Sequence, residues 1–171
     1  CAIVPACRIE RLTIRSVPVG AGARIDTEAE LVNDSPDAFA GELRLQLVGT
    51  NGSPGAAAGD SSREPITQSA CSPLMIPGGR RVRAHVQMHP EHVTLWHPEQ
   101  PHLYTVEAVL GVGSEVVHCA RERFGVCSWR RGATEILLNG KPFFFKGVCR
   151  YDEVEPYGPC PPEQVIREDL M

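Results

Sequence analysis

Between Arg8 and Arg130 apolar side chains recur mostly at every second position, and this spacing constrains the fold more than any other feature of the chain. A period of two puts alternate side chains on opposite faces of an extended strand, whereas a helix needs a period of about 3.6. Ile25, Thr27, Ala29 and Leu31 alternate with Asp26, Glu28 and Glu30, until Asn33-Asp34-Ser35-Pro36 ends the run. Leu43, Leu45 and Leu47 alternate with Glu42, Arg44 and Gln46, and Val82, Ala84, Val86 and Met88 with Arg81, Arg83, His85 and Gln87. An earlier run holds Ile9, Leu12 and Ile14, with Val17 to Gly22 as the turn after it. Later runs cover Leu103 to Val112 and Glu115 to about Trp129. Asn51 to Arg63 is rich in Gly, Ala, Ser and Pro, carries no large apolar residue, and reads as a mobile surface loop.

Roughly seven short strands with turn residues between them and no convincing helix predict a mainly β fold, an immunoglobulin-like β-sandwich over residues 6–130. Beyond Gly132 the pattern changes. Thr134 to Leu138, the turn Asn139-Gly140-Lys141-Pro142 and the run Phe143 to Val148 predict a hairpin leading into a strand that is apolar at consecutive positions, as buried parallel strands are. Pro161-Pro162-Glu163 then opens a helical stretch with Val165, Ile166 and Leu170 as its apolar stripe.

Charge and composition remove several partners. The net charge is −4 with Lys and Arg scattered, so nucleic acid and anionic membrane surfaces are not expected as partners. No apolar run approaches the ~18 residues that cross a bilayer. The seven cysteines are odd in number, irregularly spaced and without a Cys-x-x-Cys pair. They read as reduced thiols and so favour a reducing compartment such as the cytoplasm. Residue 1 is cysteine, and the first residues lack a secretory pattern, so a piece of a longer chain is expected.

Three ordered passages resemble glycoside hydrolase family 2, which holds β-galactosidases, β-glucuronidases and β-mannosidases. Leu95-Trp96-His97-Pro98-Glu99-Gln100-Pro101-His102-Leu103-Tyr104 is similar to its "LW-x-P-x-x-P-x-LY" segment. Phe124-Gly125-Val126 resembles its "FGFR" strand, with Val126 and Cys127 where Phe and Arg are usual. Leu137-Leu138-Asn139-Gly140-Lys141-Pro142 followed by Lys146-Gly147-Val148-Cys149-Arg150-Tyr151-Asp152 resembles its "LNGKP…RGVNRHE" passage.

The resemblance implies an immunoglobulin-like domain that follows a jelly-roll sugar-binding domain and precedes a (β/α)8 barrel bearing the active site. A full barrel takes ~200 residues or more, so residues 131–171 are expected to hold only a truncated barrel start: a linker hairpin, the first strand and an early helix. The implied parent is a retaining, β-galactosidase-like glycosidase with two carboxyl groups ~5.5 Å apart on later strands. No residue of this chain is therefore assigned a catalytic role. Arg150, Tyr151 and Asp152 stand where the family has Arg-His-Glu and are expected to line the sugar pocket of the parent or, for Arg150 and Asp152, to brace the barrel mouth. Tyr151 in place of histidine keeps a ring and a hydrogen-bonding tip but loses titration near neutrality. The partners implied are a carbohydrate substrate bound by the full-length enzyme and the remaining barrel and sugar-binding domains. No cofactor and no metal are expected in this stretch. The chain's own task would be architectural; the alternative is a non-catalytic carbohydrate-binding or interaction module.

Other constellations read more simply as structure. Asp152, Glu153 and Glu155 share one sequence locus and cannot flank a sugar ring from two sides. His85, His89, His92, His97 and His102 are dense, but strand and proline geometry disfavours a metal set. Trp96 with Pro98, Pro101 and Tyr104 is expected to close the end of the sandwich rather than stack a sugar, and Arg121, Arg123, Arg130 and Arg131 to form a solvated face.

Overall fold

The computed structural model describes residues 4–50, 68–147, 149, 150 and 153–169. Its longer strands are β1 (Cys7–Val19), β2 (Gly22–Asn33), β3 (Phe39–Thr50), β4 (Gln68–Ile76), β5 (Arg80–Met88), β6 (Leu103–Val112) and β7 (Glu115–Phe124). They form two antiparallel sheets, one ordered β1-β2-β5 and the other β4-β3-β6-β7. The sheets pack face to face as an immunoglobulin-like sandwich.

Alternation is what makes this packing possible. Ile25, Ala29 and Leu31 of β2, Leu43, Leu45 and Leu47 of β3, and Tyr104, Val106, Ala108 and Leu110 of β6 are buried in one shared core. Each such leucine, isoleucine or valine contributes on the order of 2 kcal/mol by leaving water. Between them, Asp26, Glu28 and Glu30 point to the opposite face, where Arg24 pairs with Asp26 at 3.1 Å and Arg83 with Glu30 at 3.0 Å. These exposed pairs add little to stability.

The sheets are tied where β1 and β7 meet. Ile9 N donates to His118 Nδ1 at 3.3 Å, and Ser16 Oγ donates to the Gly125 carbonyl at 3.2 Å. At the other end, buried Asn33 closes the β2–β3 loop against β4. Its Nδ2 donates to the Asp37 and Ile76 carbonyls at 2.8 and 3.0 Å, while its Oδ1 accepts from Ser35 N and Oγ at 3.1 and 2.6 Å. The amide is therefore satisfied on both sides, as a buried polar group must be.

Several expectations are corrected. The turn after the first run is two residues, Gly20-Ala21 with Gly20 at φ 60°, because β1 runs on through Val17-Pro18-Val19. Pro18 is tolerated there since β1 is an edge strand. The last sandwich strand stops at Phe124, short of Trp129. Strand β4 was not legible at all: Ala70, Leu74 and Ile76 turn inward while Cys71, Pro73 and Met75 turn out, so apolar residues occupy both faces of this edge strand. The loop expected over 51–63 lies outside the described residues.

After the sandwich come β8 (Trp129–Arg131), β9 (Ile136–Leu138) and β10 (Lys141–Phe143), a small antiparallel sheet ordered β10-β9-β8. Of the described part of the run that begins at Phe143, Phe143 is in a strand; residues 144–147 are in none, and Phe144 is 82% exposed. A parallel strand needs a neighbour to take its backbone hydrogen bonds, and no described strand lies beside 144–147. Helix α1 (Glu163–Asp169) starts directly after Pro161-Pro162, where Pro162 O accepts from Val165 N at 3.0 Å. Leu170, the last residue of its expected stripe, lies outside the described residues.

Candidate functional site

The residues with chemistry to offer gather where the sandwich hands over to the small sheet. Asn139 at φ 53° and Gly140 at φ 79° form the two-residue turn of the β9–β10 hairpin, with Leu138 opposite Lys141. Asn-Gly suits this turn because both positions need the left-handed region. Asn139 Nδ2 donates to the Trp96 carbonyl at 3.0 Å, its Oδ1 accepts from Ser128 N at 3.0 Å, and its own N donates to the Ser128 carbonyl at 2.9 Å.

Trp96 is tucked in rather than displayed. Its N donates to the Val126 carbonyl at 2.8 Å, and its side chain lies so close to Gly125 that a Cβ there would come within 2.7 Å of it. The side chain is half-buried against Gly125. Tyr104 is buried, and its OH accepts from Thr94 N at 2.7 Å, which pins the β5–β6 connection to the start of β6. This is the role of a tyrosine corner in immunoglobulin-like domains.

A different set of rings is open to solvent. Trp129 stacks on Phe145 with centroids 5.4 Å apart and 17° between planes, Phe143 meets both edge-on, and His97 meets Phe143 edge-on at 6.0 Å. Trp129, Phe143, Phe144 and Phe145, with Arg130, Arg131, Glu135 and Ile136, line a shallow cleft of about 730 Å³. Periodicity did not single out Trp129 as a cluster member; it lies on β8, two strands across the small sheet from the aromatic run that begins at Phe143.

Of the three expected pocket residues, only Arg150 is described. Its Nε and Nη2 both donate to Asp169 Oδ2 of α1, at 3.1 and 2.9 Å, which ties the segment after the small sheet to the helix. The sequence alone did not point to Asp169 as a partner, since the two are 19 residues apart. Tyr151 and Asp152 lie outside the described residues.

The remaining side chains are dispersed. His85 lies 3.6 Å from Glu28 on the solvent face, while His97 Nδ1 accepts from Glu99 N at 3.3 Å. Among the described residues no three His, Cys, Asp or Glu side chains converge as a metal set would. Arg121 pairs with Glu107 at 2.8 Å, and Arg123, Arg130 and Arg131 are exposed. The six described cysteines are free. Burial pushes the Cys7 and Cys127 thiols up, against a smaller lowering by Arg8 and by a hydrogen bond with Trp129 respectively, and a hydrogen bond with Glu42 pushes Cys71 up. None of these three is primed as a nucleophile. Glu153 and Glu155 are exposed, two residues apart on one strand of chain, and offer no opposed pair of carboxyl groups.

Comparison with known proteins gives the fold a setting. The chain is similar to a β-glucuronidase from Bacteroides uniformis, 22% identical with a TM-score of 0.78, over 98% of this chain and 20% of that one. It is also similar to a family 2 β-galacturonidase from Eisenbergiella tayi, crystallised with galacturonate, 21% identical with a TM-score of 0.75, over 98% of this chain and 27% of that one. The chain thus spans between a fifth and about a quarter of the length of these enzymes. No curated protein matches the sequence. The model for glycosyl hydrolases family 2 matches residues 7–126, which takes in all seven sandwich strands, and the chain accordingly belongs to that family.

Proposed function

We propose that this chain is the structural sandwich, followed by the opening of the catalytic barrel, of a longer family 2 glycoside hydrolase that cleaves O-glycosyl bonds in carbohydrate metabolism. The observation that carries the reading is the family match over residues 7–126 in a chain whose fold likeness to family 2 enzymes extends over 98% of its length but only 20–27% of theirs. The sandwich buttresses the barrel and sets its position against neighbouring domains. Residues 131–171 enter the barrel: the hairpin leads out of the sandwich, the run from Phe143 supplies the first barrel strand once its neighbours are present, and α1 is the first turns of the helix that follows.

Arg150, Tyr151 and Asp152 then lie at the C-terminal end of that strand, the end at which barrel enzymes build their sites. There they line the sugar pocket, with hydrolysis by a pair of carboxyl groups supplied from later strands. The ion pair of Arg150 with Asp169 holds the guanidinium in place against α1.

The test is to express the natural reading frame extended past Met171 beside the 171-residue chain, and to assay both on aryl β-glycosides. Hydrolysis by the extended protein and none by the shorter chain is expected; an extended frame without a barrel, or saturable glycan binding by the shorter chain alone, overturns the reading. In the active extended protein, Tyr151→Phe is expected to lower kcat/KM about fivefold to tenfold, the size of one lost hydrogen bond.

A further inference from the structure

One side-chain amide makes hydrogen bonds on both sides of the handover from sandwich to small sheet. Asn139 ties three segments that are distant in sequence: Trp96 in the β5–β6 connection, Ser128 in the link after β7, and the tip of its own hairpin. The other face of the joint is apolar, with Val126 and Leu138 buried, and Trp96 is held in turn by the Val126 carbonyl. The turn by itself does not demand this side chain. Glycine or aspartate tolerates the same left-handed backbone, but glycine brings neither hydrogen bond and ionised aspartate has no donor to offer the Trp96 carbonyl. Asparagine alone combines the turn's backbone with one donor and one acceptor at that reach, and both are used.

We propose that Asn139 is a positioning residue: its amide locks the hairpin tip to the β5–β6 connection, so that sandwich and small sheet turn as one body and the direction in which the chain leaves the sandwich toward Arg150 is fixed. The inference stands on the joint's geometry and does not depend on the hydrolase reading.

Amide hydrogen exchange on the whole 171-residue chain tests it, comparing the wild type with Asn139→Gly and Asn139→Asp. Both variants keep the turn's backbone. The expected result is exchange about tenfold faster across β8, β9 and β10, the effect of one hydrogen bond, with β2, β3 and β6 unchanged. In Asn139→Asp the protection is expected to return as the pH falls and the carboxyl gains a proton to donate to the Trp96 carbonyl, measured against the wild type at each pH, while Asn139→Gly shows no return. Unchanged exchange in the hairpin of both variants overturns the proposal. So does equal loosening of the sandwich, which would make Asn139 a folding residue, and so does an Asp variant equally loose at every pH, which would assign the effect to the turn and not to the donated hydrogen bond.

Discussion

His102 stands just before β6 with its ring 4.9 Å from that of Tyr104, and burial lowers its pKa below the ordinary histidine value of 6.5. As the pH drops below 6.5, the unfolded chain takes up a proton at this position before the folded chain does. Stability that is fully present above 6.5 is therefore lost as the pH falls toward the folded pKa. Urea midpoints measured from about pH 7.5 to about pH 5.5 should decline, and more steeply in the wild type than in His102→Gln. Equal slopes would remove His102 from the acid sensitivity. The histidine was visible in sequence only as one of a dense set; its burial beside Tyr104 comes from the fold. Asn33 likewise reads as an ordinary turn residue, yet it is the buried hub for four hydrogen bonds.

At the scale of elements, strands with one wet and one greasy face were legible and the rest were not. β2, β3 and β6 bury their alternating residues because each lies inside its sheet with one face on the core. β4 pairs on one side only and carries apolar residues on both faces, so its pattern cancels. The connection between β5 and β6 looked like a proline-rich segment with a tryptophan of two possible uses, and packing decided between them: Trp96 is spent on Gly125 and the Val126 carbonyl. Gly125→Ala should consequently cost about 1–3 kcal/mol in denaturant unfolding, since the added Cβ meets a side chain held from two directions. Gly147→Ala, where a Cβ meets nothing within 4 Å, is the matched control and should be near neutral. A Gly125→Ala protein as stable as the control would mean that Trp96 moves aside freely.

For the whole molecule, the uneven distribution of apolar surface matters most. The sandwich core hides side chains such as Tyr104, Met88 and Leu110, while Phe144 and Phe145 are 82% and 57% exposed beside Trp129 and the edge of β10. An exposed aromatic patch next to an unpaired strand edge promotes association. Light scattering on the 171-residue chain should show mass rising with concentration, and Phe144→Asp with Phe145→Asp should suppress the rise while leaving the unfolding midpoint nearly unchanged, as surface substitutions do. A monomeric wild type at all concentrations would contradict this.

What the sequence by itself determined is the class of the sandwich and the faces of its central strands, because a period of two translates directly into sidedness without reference to any other part of the chain. The Asn139-Gly140 turn was equally local, being a matter of backbone conformation. Only the tertiary structure decided that Asn139 reaches Trp96 and Ser128, that Arg150 meets Asp169 of α1, and that the aromatic run after Phe143 leaves the strand. Each of these depends on which groups, remote in sequence, are brought within hydrogen-bond or ring-contact distance. No local pattern encodes that proximity; it exists once the two sheets have closed on their core.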